Sequence, residues 1–66
     1  MTQRLSGIIK QRRTELGLSQ RALAKRVGVS DAYITQLERR ERTNPSLRVL
    51  RKLAKALKTT VAELVG

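Results

Sequence analysis

Cysteine and histidine are absent from this chain of 66 residues, which excludes disulfide bonds and the usual ligands of structural zinc. Aromatic side chains are nearly absent as well, because Tyr33 is the one aromatic residue. A chain this short lies near the lower limit for folding around its own core. The core must therefore be aliphatic, and stability must come from helix packing and capping. We expect a single domain over residues 1–66, and the absence of cysteine is consistent with a cytoplasmic location.

Acidic residues are scarce, since five of them stand against fifteen lysines and arginines, for a net charge of +10. So high a charge on so small a domain implies a polyanionic partner, either nucleic acid or an anionic membrane surface. Long apolar runs are missing too, and none approaches the ~20 residues of a transmembrane span. The N-terminus lacks the apolar segment of a signal peptide.

Catalytic groups are also hard to find in this composition. The five acids are scattered, histidine and cysteine are lacking, and no glycine-rich phosphate loop is present. We therefore expect a protein that is not an enzyme and that uses no metal, cofactor or small-molecule ligand.

The most informative stretch is residues 20–39, QRALAKRVGVSDAYITQLER. Its apolar residues have helical spacing in two short groups, which are Leu23, Ala24 and Val27, then Ile34 and Leu37. Gly28 between the groups can adopt a positive φ, and Ser30 can cap a second helix. A plain hairpin of two helices could share the apolar stripe. The coincidence of small Ala24, Gly28 and the cap favours a helix-turn-helix, whose second helix enters the DNA major groove.

Three further helices are predicted around this motif. The first covers residues 4–16 and ends at Gly17, after which Ser19 caps the motif's first helix. A loop containing Asn44-Pro45 follows the motif, because a residue before proline avoids the helical region. Ser46 then caps a helix over residues 47–58, and a capping box at Thr60–Glu63 begins a short fifth helix. The residues predicted to face the core in the first and fourth helices are Leu5, Ile8, Ile9, Leu16, Leu47, Leu50, Leu53, Ala54 and Leu57.

The chain resembles the DNA-binding domains of the lambdoid phage repressor and Cro family, also called the xenobiotic-response-element type. The resemblance covers residues 5–65 and is carried by LGLSQRALAKRVGVSDAYITQLERR, TNPSL and LRKLAKALKTTVAELV. It implies a compact all-α domain of five helices, with the helix-turn-helix at helices 2 and 3. Ala24, Gly28 and Ile34 match the motif's small, turn and buried branched positions. Lys58 departs from the family, where a helix-ending glycine is common. Because a lysine at positive φ would cost about 1 kcal/mol, we expect a different turn there.

By this resemblance the recognition helix covers residues 30–39 and reads bases from its first turns. The residues expected to contact bases are Ser30, Asp31, Ala32 and Gln36. Gln36 can pair bidentately with adenine, and Ala32 can pack on a thymine methyl group. Asp31 has two readings of equal weight, as an acceptor from cytosine N4 or as an acid that favours the helix dipole without DNA.

The resemblance also implies contacts with the DNA backbone and a structural ion pair. The residues expected at the phosphates are Gln20, Tyr33, Thr35, Arg40, Arg42, Thr43, Asn44 and Ser46. Gln20 could instead buttress the base-reading residues, and Tyr33 could instead stack in the core. Arg13 and Glu38 match a linked pair of the family, and the alternative is two independent surface charges of little energetic value.

The resulting hypothesis is a sequence-specific regulator of transcription, with a repressor role expected, that binds double-stranded DNA as a homodimer on an inverted repeat. The dimer surface is assigned to Val61, Leu64 and Val65, with core packing as the competing explanation. Two alternatives stay open. One is an antitoxin or other protein-interaction module, and the other is a general polyanion or membrane-surface binder that uses the basic helix LRVLRKLAKALK.

Overall fold

Five α-helices follow one another in the computed structural model, which describes the backbone of residues 2–65 and the side chains of residues 5–65. They are α1 (Thr2–Glu15), α2 (Gln20–Val27), α3 (Asp31–Glu38), α4 (Leu47–Ala56) and α5 (Val61–Val65). The predicted all-α order is confirmed. The first helix begins two residues earlier than predicted, and the fourth ends two residues earlier.

Serine side chains begin three of the helices. The Oγ atoms of Ser19, Ser30 and Ser46 each accept a backbone N–H from the residue three positions on, at 3.0, 3.1 and 3.2 Å. Each bond satisfies a donor that the first helical turn leaves without a partner. The three predicted caps are confirmed.

The turn between α2 and α3 depends on a glycine. Gly28 has φ 83°, in the left-handed region that a side chain disfavours. Its N–H and that of Val29 both donate to the Ala24 carbonyl, at 2.8 and 3.0 Å. The chain can therefore leave α2 and enter α3 within three residues, which sets the two helices at the angle of a helix-turn-helix.

The core is aliphatic and lies between α3 and the helices around it. Its buried members are Leu5, Ile9, Leu23, Ala24, Val27, Ile34, Leu37, Leu53, Ala54, Leu57 and Leu64. Both α1 and α2 pack on α3, while Ile34 and Leu37 anchor its inner face. The outer face of α3 is consequently presented to solvent on a fixed support.

Two apolar residues lie where the sequence did not place them. Leu47 is 54% exposed, so its predicted place in the core is wrong, because it stands in the first turn of α4 before that helix reaches the core. Leu64 has 0% exposure, so it cannot form part of a dimer surface. Leu64 closes the core at the short helix α5. Core packing, the alternative given for this residue, is therefore its role. Val61 is half-buried against the same core, and Val65 is exposed.

Lys58 adopts the conformation that was expected to be avoided. Its φ is 55°, so the prediction of a different turn is wrong. The guanidinium of Arg12 lies against this corner and donates to the carbonyls of Leu57 and Lys58, at 3.0–3.1 Å. These bonds satisfy carbonyls at the end of α4 and offset the cost of a left-handed lysine.

The capping box at the start of α5 forms in one direction. The N–H of Glu63 donates to Thr60 Oγ1 at 3.1 Å, as predicted. The Glu63 carboxylate accepts instead from the hydroxyls of Thr59 and Thr60, at 3.0 and 3.4 Å. Thr59 competes for the carboxylate because its hydroxyl lies one turn before Glu63.

Candidate nucleic-acid interface

The first turn of α3 is the most exposed part of the predicted recognition surface. Asp31 and Ala32 are both exposed there. Ser30 precedes them, and its Oγ accepts the capping hydrogen bond from the Tyr33 N–H. The hydroxyl hydrogen of Ser30 can still be donated to another acceptor. Gln36 follows one turn later and is half-buried. Three of the four predicted base-contact residues therefore lie at the start of α3, and Gln36 lies about one turn further along the same helix.

Four side chains from α1, α2 and α3 support this helix from behind, and we call them the buttress network: Arg13, Gln20, Thr35 and Glu38. The Nε and Nη2 atoms of Arg13 donate to the two carboxylate oxygens of Glu38, at 2.6 and 3.0 Å. The side chains of the pair are only 12% and 5% exposed. The predicted structural ion pair is thus present, and it is not a pair of independent surface charges.

Gln20 extends the network from Glu38 to the outer side of α3. Its Nε2 donates to Glu38 Oε1 at 3.1 Å, and its Oε1 accepts from the Thr35 hydroxyl at 2.7 Å. Both the amine and the carbonyl of the amide are therefore hydrogen-bonded within the protein. Of the two roles expected for Gln20, this arrangement is the buttressing one. Its contact with a phosphate, like that of Thr35, stays a prediction.

The ion pair is strong because its geometry is bidentate and mostly desolvated. The hydrogen bond with Glu38 raises the pKa of the Arg13 guanidinium above its ordinary value, with burial acting in the opposite direction. Arg13 Nη1 also donates to the Leu18 carbonyl at 2.8 Å. Across the described side chains, no buried nitrogen or oxygen is left without a hydrogen-bond partner. The network thus ties α1 and the turn before α2 to the recognition helix.

The chain leaving α3 folds back over the helix it has just completed. Arg40 has φ 63°, and the N–H groups of Glu41 and Arg42 both donate to the Gln36 carbonyl, at 2.8 and 3.2 Å. The Arg42 side chain then lies over the Tyr33 ring, 4.7 Å from its centroid. Arg42 Nε donates to Gln36 Oε1 at 3.1 Å. We call these three residues the Tyr33–Gln36–Arg42 cluster.

Tyr33 falls between its two expected roles. The ring is half-buried and packs against the core on one side, while Arg42 covers it on the other. Such an arrangement places a cation over the ring face, where the quadrupole attracts it. The phosphate contact predicted for Tyr33 stays a prediction.

The segment after the cluster is polar and exposed except at one residue. Thr43, Asn44 and Ser46 are exposed, and Arg40 is exposed before them. Pro45 is buried, and it holds the segment against the domain. The sequence indicated a loop at this proline but not its burial, since a proline within a polar stretch carries no sign of what covers it.

The surface charge around the site is positive. α2 carries three basic residues and α4 carries four, and neither contains an acid. Of the five acids, Glu38 and Glu15 are engaged with Arg13 and Arg12. The resulting field favours a polyanion, and a basic surface around an exposed helix start suits a nucleic-acid duplex.

In the part of the chain that the structure describes, no cluster of acidic residues could hold a metal ion. No helix within residues 2–65 has the length and apolar character needed to cross a membrane.

The helix-turn-helix family matches residues 9–64. The chain therefore belongs to the helix-turn-helix family, and the resemblance to the Cro and phage repressor type is confirmed by the structural matches below.

Among proteins of this class, the chain is similar to the transcriptional regulator SinR of Bacillus licheniformis, with 40% identity over 58 residues. That match covers 88% of this chain and 52% of the relative, so the chain spans about half the length of the curated relatives it matches. The relatives are named as regulators of transcription and not as enzymes, in agreement with expectation.

Two solved structures share the whole fold. The crystal structure of SinR, the master regulator for biofilm formation, in complex with DNA is 37% identical with a TM-score of 0.88, covering 94% of this chain and 98% of that one. The solution structure of the DNA-binding domain of the P22 c2 repressor is 42% identical with a TM-score of 0.88, covering 98% and 84%. The predicted lambda-repressor-like fold is confirmed.

Proposed function

We propose that this chain binds double-stranded DNA sequence-specifically and regulates transcription, as a repressor, with α3 in the major groove. The observation that carries the proposal is the exposed first turn of α3, held from behind by the buttress network. A helix that reads bases must keep its side chains in a fixed register, and a buried bidentate ion pair supplies that rigidity. The fold shared with SinR in complex with DNA supports the same conclusion.

The segment after α3 would follow the DNA backbone beside the groove. Its exposed polar residues would contact phosphates, and they are Arg40, Arg42, Thr43, Asn44 and Ser46. Such contacts position the protein and make its affinity depend on salt, without reading sequence. Base identity would be read by the first turns of α3.

Two copies of the chain would bind an inverted repeat, with half-sites about 34 Å apart on one face of the duplex. The exposed apolar residues Leu47 and Val65 would contribute to the dimer contact. Val65 helps to line a depression of about 250 Å³, together with Pro45 and Leu50, which flank Leu47 in the sequence. Leu64 lies beneath this surface as a core residue.

Selection of bound duplexes from a random pool at physiological salt tests the proposal. We expect enrichment of one inverted repeat with half-sites about one helical turn apart. A single enriched half-site would keep sequence-specific binding and remove the dimer. Failure to enrich any sequence would overturn the proposal in favour of a general polyanion binder or a protein-interaction module.

A substitution on α3 distinguishes recognition of bases from general electrostatic attraction to DNA. Gln36→Ala should lower affinity for the selected duplex by about tenfold or more, and affinity for bulk DNA by much less. Lys55→Ala on α4 is the matched control, because it removes a charge from the general field and should weaken both duplexes slightly and equally. Equal losses on both duplexes in Gln36→Ala would contradict the assignment. Fluorescence anisotropy at one stated salt concentration measures both.

A further inference from the structure

The Tyr33–Gln36–Arg42 cluster connects the loop after α3 to a residue expected to read bases. Arg42 is linked to Gln36 twice, once through its backbone N–H at 3.2 Å and once through its side-chain Nε at 3.1 Å. The Tyr33 ring supports the guanidinium from below, with 4.7 Å to the centroid. The side chain of Arg42 therefore lies against α3 in the domain without DNA.

The chemistry of this contact determines which way the Gln36 amide faces. Arginine carries N–H donors and no acceptor. The group that Gln36 turns toward Arg42 must therefore be its carbonyl oxygen, and the Nε2 amine must lie on the other side. Rotation of the amide by half a turn would set N–H groups against N–H groups.

An amide held in this orientation offers donors to the major groove. Guanine presents two acceptors there, N7 and O6, whereas adenine presents N7 as acceptor and its N6 amine as donor. To pair with adenine bidentately, Gln36 would have to accept from the N6 amine through the second lone pair of Oε1, beside the Arg42 guanidinium that donates to the first. The N6 amine would then stand beside the guanidinium at the same oxygen, donor against donor.

We propose that Arg42 is a positioning residue that holds Gln36 as a hydrogen-bond donor, so that Gln36 selects guanine and not adenine in the major groove. This inference rests on the proposed function and refines it. It differs from the adenine pairing expected when the glutamine side chain is considered alone. The pre-ordered contact also lowers the conformational entropy that Gln36 would otherwise lose on binding.

The test is base preference at one operator position. Duplex selection with the wild-type chain and with Gln36→Ala identifies that position as the one whose preference disappears in the variant. In the wild type we expect guanine there, favoured over adenine by about tenfold. In Arg42→Ala the amide can rotate, and we expect the two purines to be bound within about threefold of each other.

Arg40→Ala is the matched control, since it removes an exposed charge from the same loop without a side-chain contact to Gln36. It should weaken all duplexes and leave the guanine preference intact. Circular dichroism establishes that each variant is folded. A preference for adenine at this position in the wild type would overturn the inference, and so would an unchanged guanine preference in Arg42→Ala. Either result would leave sequence-specific binding intact. Absence of any enriched sequence in the wild type would overturn the proposed function itself.

Discussion

The buttress network and the Tyr33–Gln36–Arg42 cluster hold the same helix in different ways. The network joins three elements that are distant in sequence and is nearly buried, with Glu38 5% exposed. The cluster joins residues within a single stretch from 33 to 42, and Arg42 is exposed. Desolvation makes an ion pair costly to break, whereas an exposed contact is worth little to folding. Stability therefore depends on the network, and the cluster is left to adjust recognition.

The largest effect should come from breaking the buried ion pair. Glu38→Ala leaves the Arg13 guanidinium buried without a counter-charge and removes the acceptor of Gln20. We expect a loss of about 3–5 kcal/mol in the free energy of unfolding, measured by urea denaturation. Glu15→Ala is the control, because the Arg12–Glu15 pair is 35% and 49% exposed and should lose less than about 1 kcal/mol. Similar losses in the two variants would remove the contrast between buried and exposed contacts.

A gain in stability is expected from a substitution in the loop that follows α3. Arg40 has φ 63°, so Arg40→Gly should relieve backbone strain and stabilise the domain by about 1 kcal/mol. Arg39→Gly removes the same charge one residue earlier, where φ is −87°, and should be neutral or destabilising. Thermal unfolding of the pair at one salt concentration makes the comparison. A gain in both variants would point to relief of charge repulsion and not of strain.

The smallest effect on folding should follow loss of the exposed cation of the cluster. Arg42→Ala should lower the free energy of unfolding by about 0.5 kcal/mol. The slope of log affinity against log salt should fall by about one in magnitude if Arg42 contacts one phosphate. Denaturation and DNA titrations at several salt concentrations measure the two quantities. A stability loss as large as that of Glu38→Ala would mean that the cluster, too, is structural.

Features that depend on neighbouring residues could be predicted from the sequence. Ser30 caps α3 because its hydroxyl needs to reach only three residues along the chain, and Gly28 is the natural residue for a left-handed turn. The link between Arg13 and Glu38 was predicted through family resemblance, since the two are far apart in sequence. The bond between Arg42 and Gln36 was missed, because a polar loop gives no sign that it folds back over the preceding helix.

Apolar periodicity was a weaker guide at the edges of the core. Leu47 and Leu64 are both leucines in amphipathic helices, yet one is exposed and the other is fully buried. The pattern shows which face of a helix is apolar. The positions of the neighbouring helices determine which residues of that face are buried. Lys58 shows the same limit for the backbone, because the Arg12 contacts that support its conformation come from α1.

The sequence by itself determined the five helices, their serine caps, the glycine turn and the positive charge, because each depends on a residue's own chemistry or on neighbours within a turn. Tertiary structure decided which leucines are covered, that Gln20 bridges Thr35 and Glu38, and which way the Gln36 amide faces. Those properties depend on distances between residues more than one helical turn apart in sequence, which only the folded chain fixes, so the supported recognition surface exists only in the folded domain.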